Sequence, residues 1–265
     1  MRSDLHHLRA QVRAIEAHNR FRAAPLATGA DGFDEALGGG LALGGVNEFV
    51  PVDFMHEPAS ITFALVCAAT ALSQRPGDLV IVEDGTHVRL WGGVYGPGLQ
   101  ALGIDPARVL LVSTPTPQAT HACLEDCART TGLAGVLGFM GPKAGFALAG
   151  ARRVQLAAEQ AQSLVILVQS LRTTRFAPAF ARLSIAAAPS QGRVLRGASL
   201  PQPGPPAWHV HLERTRSGAR PQSFELEYDD ATHRLYQPAT ARDRLPVAHA
   251  RGGSAFSSPS NGEVA

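Results

Sequence analysis

The sequence predicts an α/β fold: a mainly parallel twisted sheet flanked by helices and closed by antiparallel C-terminal strands. Two patterns support this. Between residues 45 and 168, short apolar runs rich in Val, Ile and Leu alternate with helix-like stretches, as strands buried on both faces require. From about residue 182, apolar and polar residues alternate between Gly/Pro turns, as in antiparallel strands with one wetted face.

The stretch from Thr28 to Thr62 organises the rest. A short helix ends in Gly38-Gly39-Gly40, a turn leads into the strand GVNEFV (45–50), and PVDFMHEPA joins that strand to an apolar helix, SITFALVCAATAL. Strand, loop and helix form the layout of a phosphate-binding P-loop, where backbone N–H groups and a helix N-terminus cradle an anion. A working loop reads GxxxxGK[ST]. Here no glycine lies between Gly45 and Gly77, and Lys143 is the only lysine in the chain. Pro51, Asp53, His56, Glu57 and Ser60 stand at the degenerate loop position. Asp53 and Glu57 put negative charge where phosphate would sit, against the preference for a bound anion there. Ser60 and Thr62 fall in the first helical turn; either could help hold magnesium, and Ser60 reads equally as an N-cap.

Further strands are expected at DLVIVE (78–83), RVLLV (108–112), LAGVLGFM (133–140) and SLVILV (163–168), with helices at 118–131 and 145–162. RLSIAAAPS, WHVHLERTR, SFELEYDD and HRLYQP supply the antiparallel part, and PQPGPPA (201–207) is a rigid connector. The strand LAGVLGFM ends in Gly141-Pro142-Lys143, without the carboxylate a magnesium-dependent nucleotide site needs. Glu83 and Asp84 follow DLVIVE; they read as part of a solvated loop, or as an acid placed to activate water after a strand end. No catalytic residue is assigned, and neither a cofactor nor a metal is expected.

A chain of 265 residues with 45% hydrophobic content suits one large domain with tails. Three parts are expected: an amphipathic helix and linker (1–24), the main domain (25–237) and a tail (238–265) whose composition predicts disorder. Leu5, Leu8, Val12 and Ile15 recur at helical spacing in the first part and are candidates for contact with a partner. Net charge is only +2, so global charge does not announce a nucleic-acid protein. Locally, Arg152, Arg153, Arg172, Arg175, Arg182, Arg193 and Arg196 face a single acid, Glu159. Arg172, Arg175, Arg193 and Arg196 are the DNA-contact candidates.

Cys67, Cys123 and Cys127 form no disulfide framework, and His121 points away from the face that Cys123 and Cys127 share. His209, His211 and Glu213 lie on one face of a strand, as any half-buried strand would place its polar residues. The charged N-terminus lacks a signal-peptide core and no apolar run reaches transmembrane length, so a cytoplasmic location is expected.

TGxxxxDEALGGGLxxGxxNE (28–48) resembles the opening of the RecA/RadA recombinase core, and SLVILVQSLR (163–172) resembles its strand and loop ending in Asn-Gln-Ile-Arg. YGPGLQALGIDPARVLLV, ARRVQLAAE (151–159), WHVHLERTRSG (208–218) and SFELEYDD (223–230) follow in an order similar to the ImuA family. That family comprises RecA-like proteins of bacterial damage-inducible mutagenesis cassettes. The resemblance implies a RecA-like P-loop NTPase core with degenerate Walker motifs. It also implies an accessory role in SOS-induced translesion synthesis beside ImuB, a Y-family-like polymerase homologue, and an error-prone replicative-type polymerase. DNA and RecA are further candidate partners. By the same resemblance, the loop holding Arg172 and Arg175 lies near a DNA-contacting face. Two alternatives stay open: a recombinase-like ATPase with a rearranged loop, and an SOS cell-division inhibitor.

Overall fold

The structure, a computed structural model, describes residues 23–190 and 204–238. The expected N-terminal helix with Leu5, Leu8, Val12 and Ile15, the candidates Arg193 and Arg196, and the tail from residue 239 lie outside the described residues.

Strands β1 (Gly45–Pro51), β2 (Leu79–Asp84), β3 (Val109–Thr114), β4 (Gly135–Phe139), β5 (Leu164–Val168), β6 (Ala181–Ala187), β7 (Ala207–Thr215), β8 (Gln222–Asp229) and β9 (Arg234–Tyr236) form one sheet. Its order is β3-β2-β4-β5-β1-β6-β7-β8-β9. The six strands from β3 to β6 run parallel, and β6 to β9 pair antiparallel. The expected mixed sheet is thus present, with parallel strands first and antiparallel strands last. β1, β2, β4 and β5 are buried along their whole length, which explains why their sequences are nearly continuous apolar runs.

Helices α1 (Asp31–Leu37) and α2 (Glu57–Gln74) contribute to the core on one face of the sheet. Helices α5 (Pro117–Arg129) and α6 (Leu148–Ala161) line the core on the other. Two short helices, α3 (Gly85–Trp91) and α4 (Gly96–Ala101), sit between β2 and β3. α2 is apolar enough in length and composition to suggest a membrane span, but most of it is buried against the sheet. Its Phe63 is central, with ring centroids 5.3 Å from Phe49 and 5.4 Å from Trp208.

The opening motif has a local explanation. Asp34 accepts hydrogen bonds from the Thr28 and Gly29 amides and the Thr28 hydroxyl, closing the Thr-Gly turn onto α1. The triple glycine brings the chain back: Gly40 has φ +129°, and a Cβ there would lie 2.1 Å from the Leu26 carbonyl oxygen. That approach allows Leu26 and Leu41 to bridge. Glu48, fully buried in β1, accepts from the Phe176 amide and pairs with Arg182 of β6 at 2.6 Å. This buried pair ties β1, β6 and the loop between β5 and β6 together.

Phe63→Ala should lower the unfolding free energy by about 3–5 kcal/mol. Urea titration followed by circular dichroism measures the change.

Candidate functional site

In open α/β sheets, ligands collect beyond the carboxyl ends of the parallel strands. Here that end is built from the loop after β1, the β2–α3 junction, the turn after β4 and the loop after β5.

The loop after β1 is short and internally bonded. Asp53 accepts from the His56 amide and caps a 3-10 turn at Phe54–His56. The His56 ring accepts from the Ala187 amide, fastening the loop to the end of β6. α2 then starts at Glu57, three residues earlier than the run SITFAL suggests, with Pro58 in its first turn. Proline removes one amide donor from the very helix end that would hold an anion.

Glu57 occupies that helix end instead. Its buried carboxylate accepts from the Trp91 indole at 2.8 Å, the Ser170 hydroxyl at 2.8 Å and the Leu171 amide at 2.9 Å. The chain thus supplies its own anion at the helix N-terminus, where the macrodipole favours one. Ser60 is not an N-cap: it lies inside α2 and donates to the His56 carbonyl, as Thr62 donates to that of Pro58. Both hydroxyl hydrogens are therefore committed to the helix's own carbonyls.

Glu83 and Asp84 are not in a solvated loop. They form the buried end of β2. Glu83 accepts from the Val94 amide at 2.9 Å. Burial pushes its carboxyl up from the usual range, partly offset by hydrogen bonds from Val94 and Ser113. Asp84 caps α3 through the Thr86 amide and hydroxyl and also accepts from Thr120. A Cβ on Gly141 would lie 2.2 Å from an Asp84 carboxylate oxygen. A carboxylate therefore does stand beside the end of β4, but β2 provides it and three donors occupy it.

His87 lies beneath this surface, stacked on Phe139 at 5.1 Å. Burial lowers its pKa to about 4, against the opposing pull of Glu57 and Asp84. Between α2, α3 and α4 is a cleft of about 280 Å³ lined by Ile61, Leu65, Glu83, His87, Trp91 and Phe139, among others. Phe54 packs against Trp91 with ring centroids 5.0 Å apart and planes tilted by 38°. Met55 is 79% exposed and Phe54 51%, with Val52 and Leu171 also exposed. The loop position therefore presents an apolar surface beside the hydrogen-bonded carboxylates of Glu57, Glu83 and Asp84.

Other candidates are scattered. Arg172 is exposed beside Leu171. Arg175 is half-buried, with one guanidinium nitrogen enclosed and lacking a hydrogen-bond partner. Arg182 is committed to Glu48, and Arg153 to Glu125 at 2.8 Å. Lys143 is exposed. The Cys123 and Cys127 sulfurs lie 3.9 Å apart, and burial pushes the Cys127 thiol up to about 12. His121 bonds the Ala144 carbonyl and stacks on Phe146. His209 faces Glu225, His211 bonds Ser223, and Glu213 bonds Ser184. Among the described residues, no group of three His, Cys, Asp or Glu could hold a metal ion.

No protein-family model matches the chain. Protein ImuA of Caulobacter vibrioides strain NA1000 / CB15N is 30% identical over 227 residues, covering 83% of this chain and 89% of that protein. Protein ImuA of Caulobacter vibrioides strain ATCC 19089 / CIP 103742 / CB 15 matches to the same extent. The chain belongs to the ImuA family. In this ImuA-family chain, the aligned length takes in most of the domain, so the relationship is not confined to one motif.

Sequence reading found the loop but missed the residues that complete it. Trp91, Ser170 and Leu171 lie 34 to 114 positions from Glu57, and only the topology brings them together. One local signal existed: a tryptophan followed by Gly92-Gly93, an arrangement that ends a helix and leaves its last side chain at a rim.

Glu57→Ala should strand three donors and cost about 2–4 kcal/mol. Chemical denaturation measures the loss, and altered Trp91 emission should accompany it. His87 gives a pH dependence. Its folded pKa is depressed, so its contribution is complete above the unfolded value of 6.5 and is lost as pH falls towards about 4. His87→Phe should flatten that part of the stability–pH curve, measured by thermal melts at each pH.

Proposed function

We propose that this chain is a non-catalytic, cytoplasmic RecA-like accessory protein of SOS-induced, error-prone translesion DNA synthesis. It acts by contact with a Y-family-like partner of the ImuB type, within an assembly that includes an error-prone replicative-type polymerase. The observation that carries the reading is the internal occupation of the helix start by Glu57, hydrogen-bonded to Trp91, Ser170 and Leu171.

The parallel sheet, with its strand–loop–helix unit at β1, supports the RecA-like description. ATP would have to enter against a fixed carboxylate, with no lysine in the loop after β1, and phosphoryl transfer depends on cationic stabilisation of developing charge. The family relationship supports the mutagenesis setting. The exposed Phe54, Met55 and Leu171, edged by Arg172, supply the apolar centre and charged rim typical of a protein contact. DNA is a secondary partner through Arg172 and Arg175.

Titration calorimetry with ATP and magnesium should give no binding heat in the micromolar range; micromolar affinity would overturn the reading and favour the ATPase. Met55→Glu should weaken capture of the ImuB-type partner about tenfold, as expected for a central apolar contact. If Arg172 touches a phosphate, Arg172→Ala should reduce the salt slope of DNA binding by about 1. Gel shifts across a salt series measure it.

A further inference from the structure

The sheet has two ends of different character. β9, the last strand, is three residues long and carries Arg234 with its side exposed, which blunts that edge. At the other end, β3 is six residues long and, among the described residues, pairs only with β2. Its sequence, VLLVST, holds no charge and no proline. Leu110 is 59% exposed and Leu111 42% exposed. Register places Leu110 opposite Val80 and Leu111 opposite Ile81, so the two leucines project from opposite faces of the sheet. An uncharged edge strand, apolar on both faces, is a template for another strand.

We propose that β3 pairs antiparallel with β3 of a second copy of this chain across a two-fold axis, joining two sheets edge to edge. The strand is complementary to itself. Centred on Leu111, antiparallel pairing sets Leu111 against its own copy on one face and Leu110 against Val112 on the other. Leu110, Leu111 and Val112 then each meet an apolar side chain, Val109 meets the small Ser113, and the contact closes with two-fold symmetry. No like charges meet within the paired strands. Arg108, just before β3, is turned inward and donates to the carbonyls of Leu72, Arg75 and Gly77. A six-residue seam lies at the small end of protein interfaces, so the expected dimer is weak and reversible. This surface is separate from the apolar loop at Phe54 and does not depend on the function proposed above.

Sedimentation velocity of the full chain, from low to high micromolar concentration, tests the proposal. The expected result is reversible dimerisation that Leu111→Lys weakens at least tenfold, because the substitution sets two cations against each other at the axis. Leu110→Lys should act similarly through Val112. Leu156→Lys, at an exposed leucine on α6, should leave association unchanged. Hydrogen exchange at the β3 amides should slow as concentration rises. A monomer at every concentration overturns the proposal. So does a dimer indifferent to both β3 substitutions, or β3 exchange that responds only to a different protein.

Discussion

A carboxylate removed from water at a helix start must be satisfied by the protein, and the arrangement around Glu57 follows from that requirement. Trp91, the Ser170 hydroxyl and the Leu171 amide converge on it from two other segments. Their convergence fixes where α3 ends and how the loop after β5 enters. Because the acceptor is anionic and the helix dipole points towards it, these bonds are stronger than neutral ones. The same geometry leaves Phe54 resting on Trp91 at the surface, so the apolar rim is a by-product of how the charge beneath it is held.

A second buried carboxylate plays the complementary part. Glu48 and Arg182 are register partners on neighbouring parallel strands, and the Phe176 amide completes the set. Glu57 organises the α2 side of the sheet's carboxyl end, whereas Glu48 secures the following loop from within the sheet. Removing one member of such a pair leaves a buried charge alone, which is far costlier than the pair is beneficial. The loop bearing Arg172 and Arg175 is therefore pinned at its two ends, by Leu171 to Glu57 and by Phe176 to Glu48, and its variable part is confined to the few residues between.

Most of the fold was legible because its strands are buried on both faces. Runs such as LVIVE and LVILV leave few other readings, and the switch to alternation in WHVHLERT marks where one face becomes wetted. The helices α3 and α4, at seven and six residues, were missed because they are too short to show a helical period. At the site, composition singles out the loop after β1, but it misjudges Glu83, Asp84 and Ser60. A carboxylate at a strand end is ordinarily solvated. Here Val94, Thr86 and Thr120 arrive from later segments to bury and bond the two acids. Ser60 resembled a cap only because Glu57 and Pro58 do not look like the beginning of an apolar helix, though proline in a first turn is common.

The turn after β4 has a practical consequence. Lys143 is the only lysine in the sequence, and it stands exposed at the carboxyl end of the sheet, the end that carries the Glu57 cluster. Amine-directed acylation therefore has one side-chain target apart from the α-amino group. A fluorophore, biotin or photo-crosslinker attached there would report from a single known position, without engineering a cysteine or disturbing the three thiols already present.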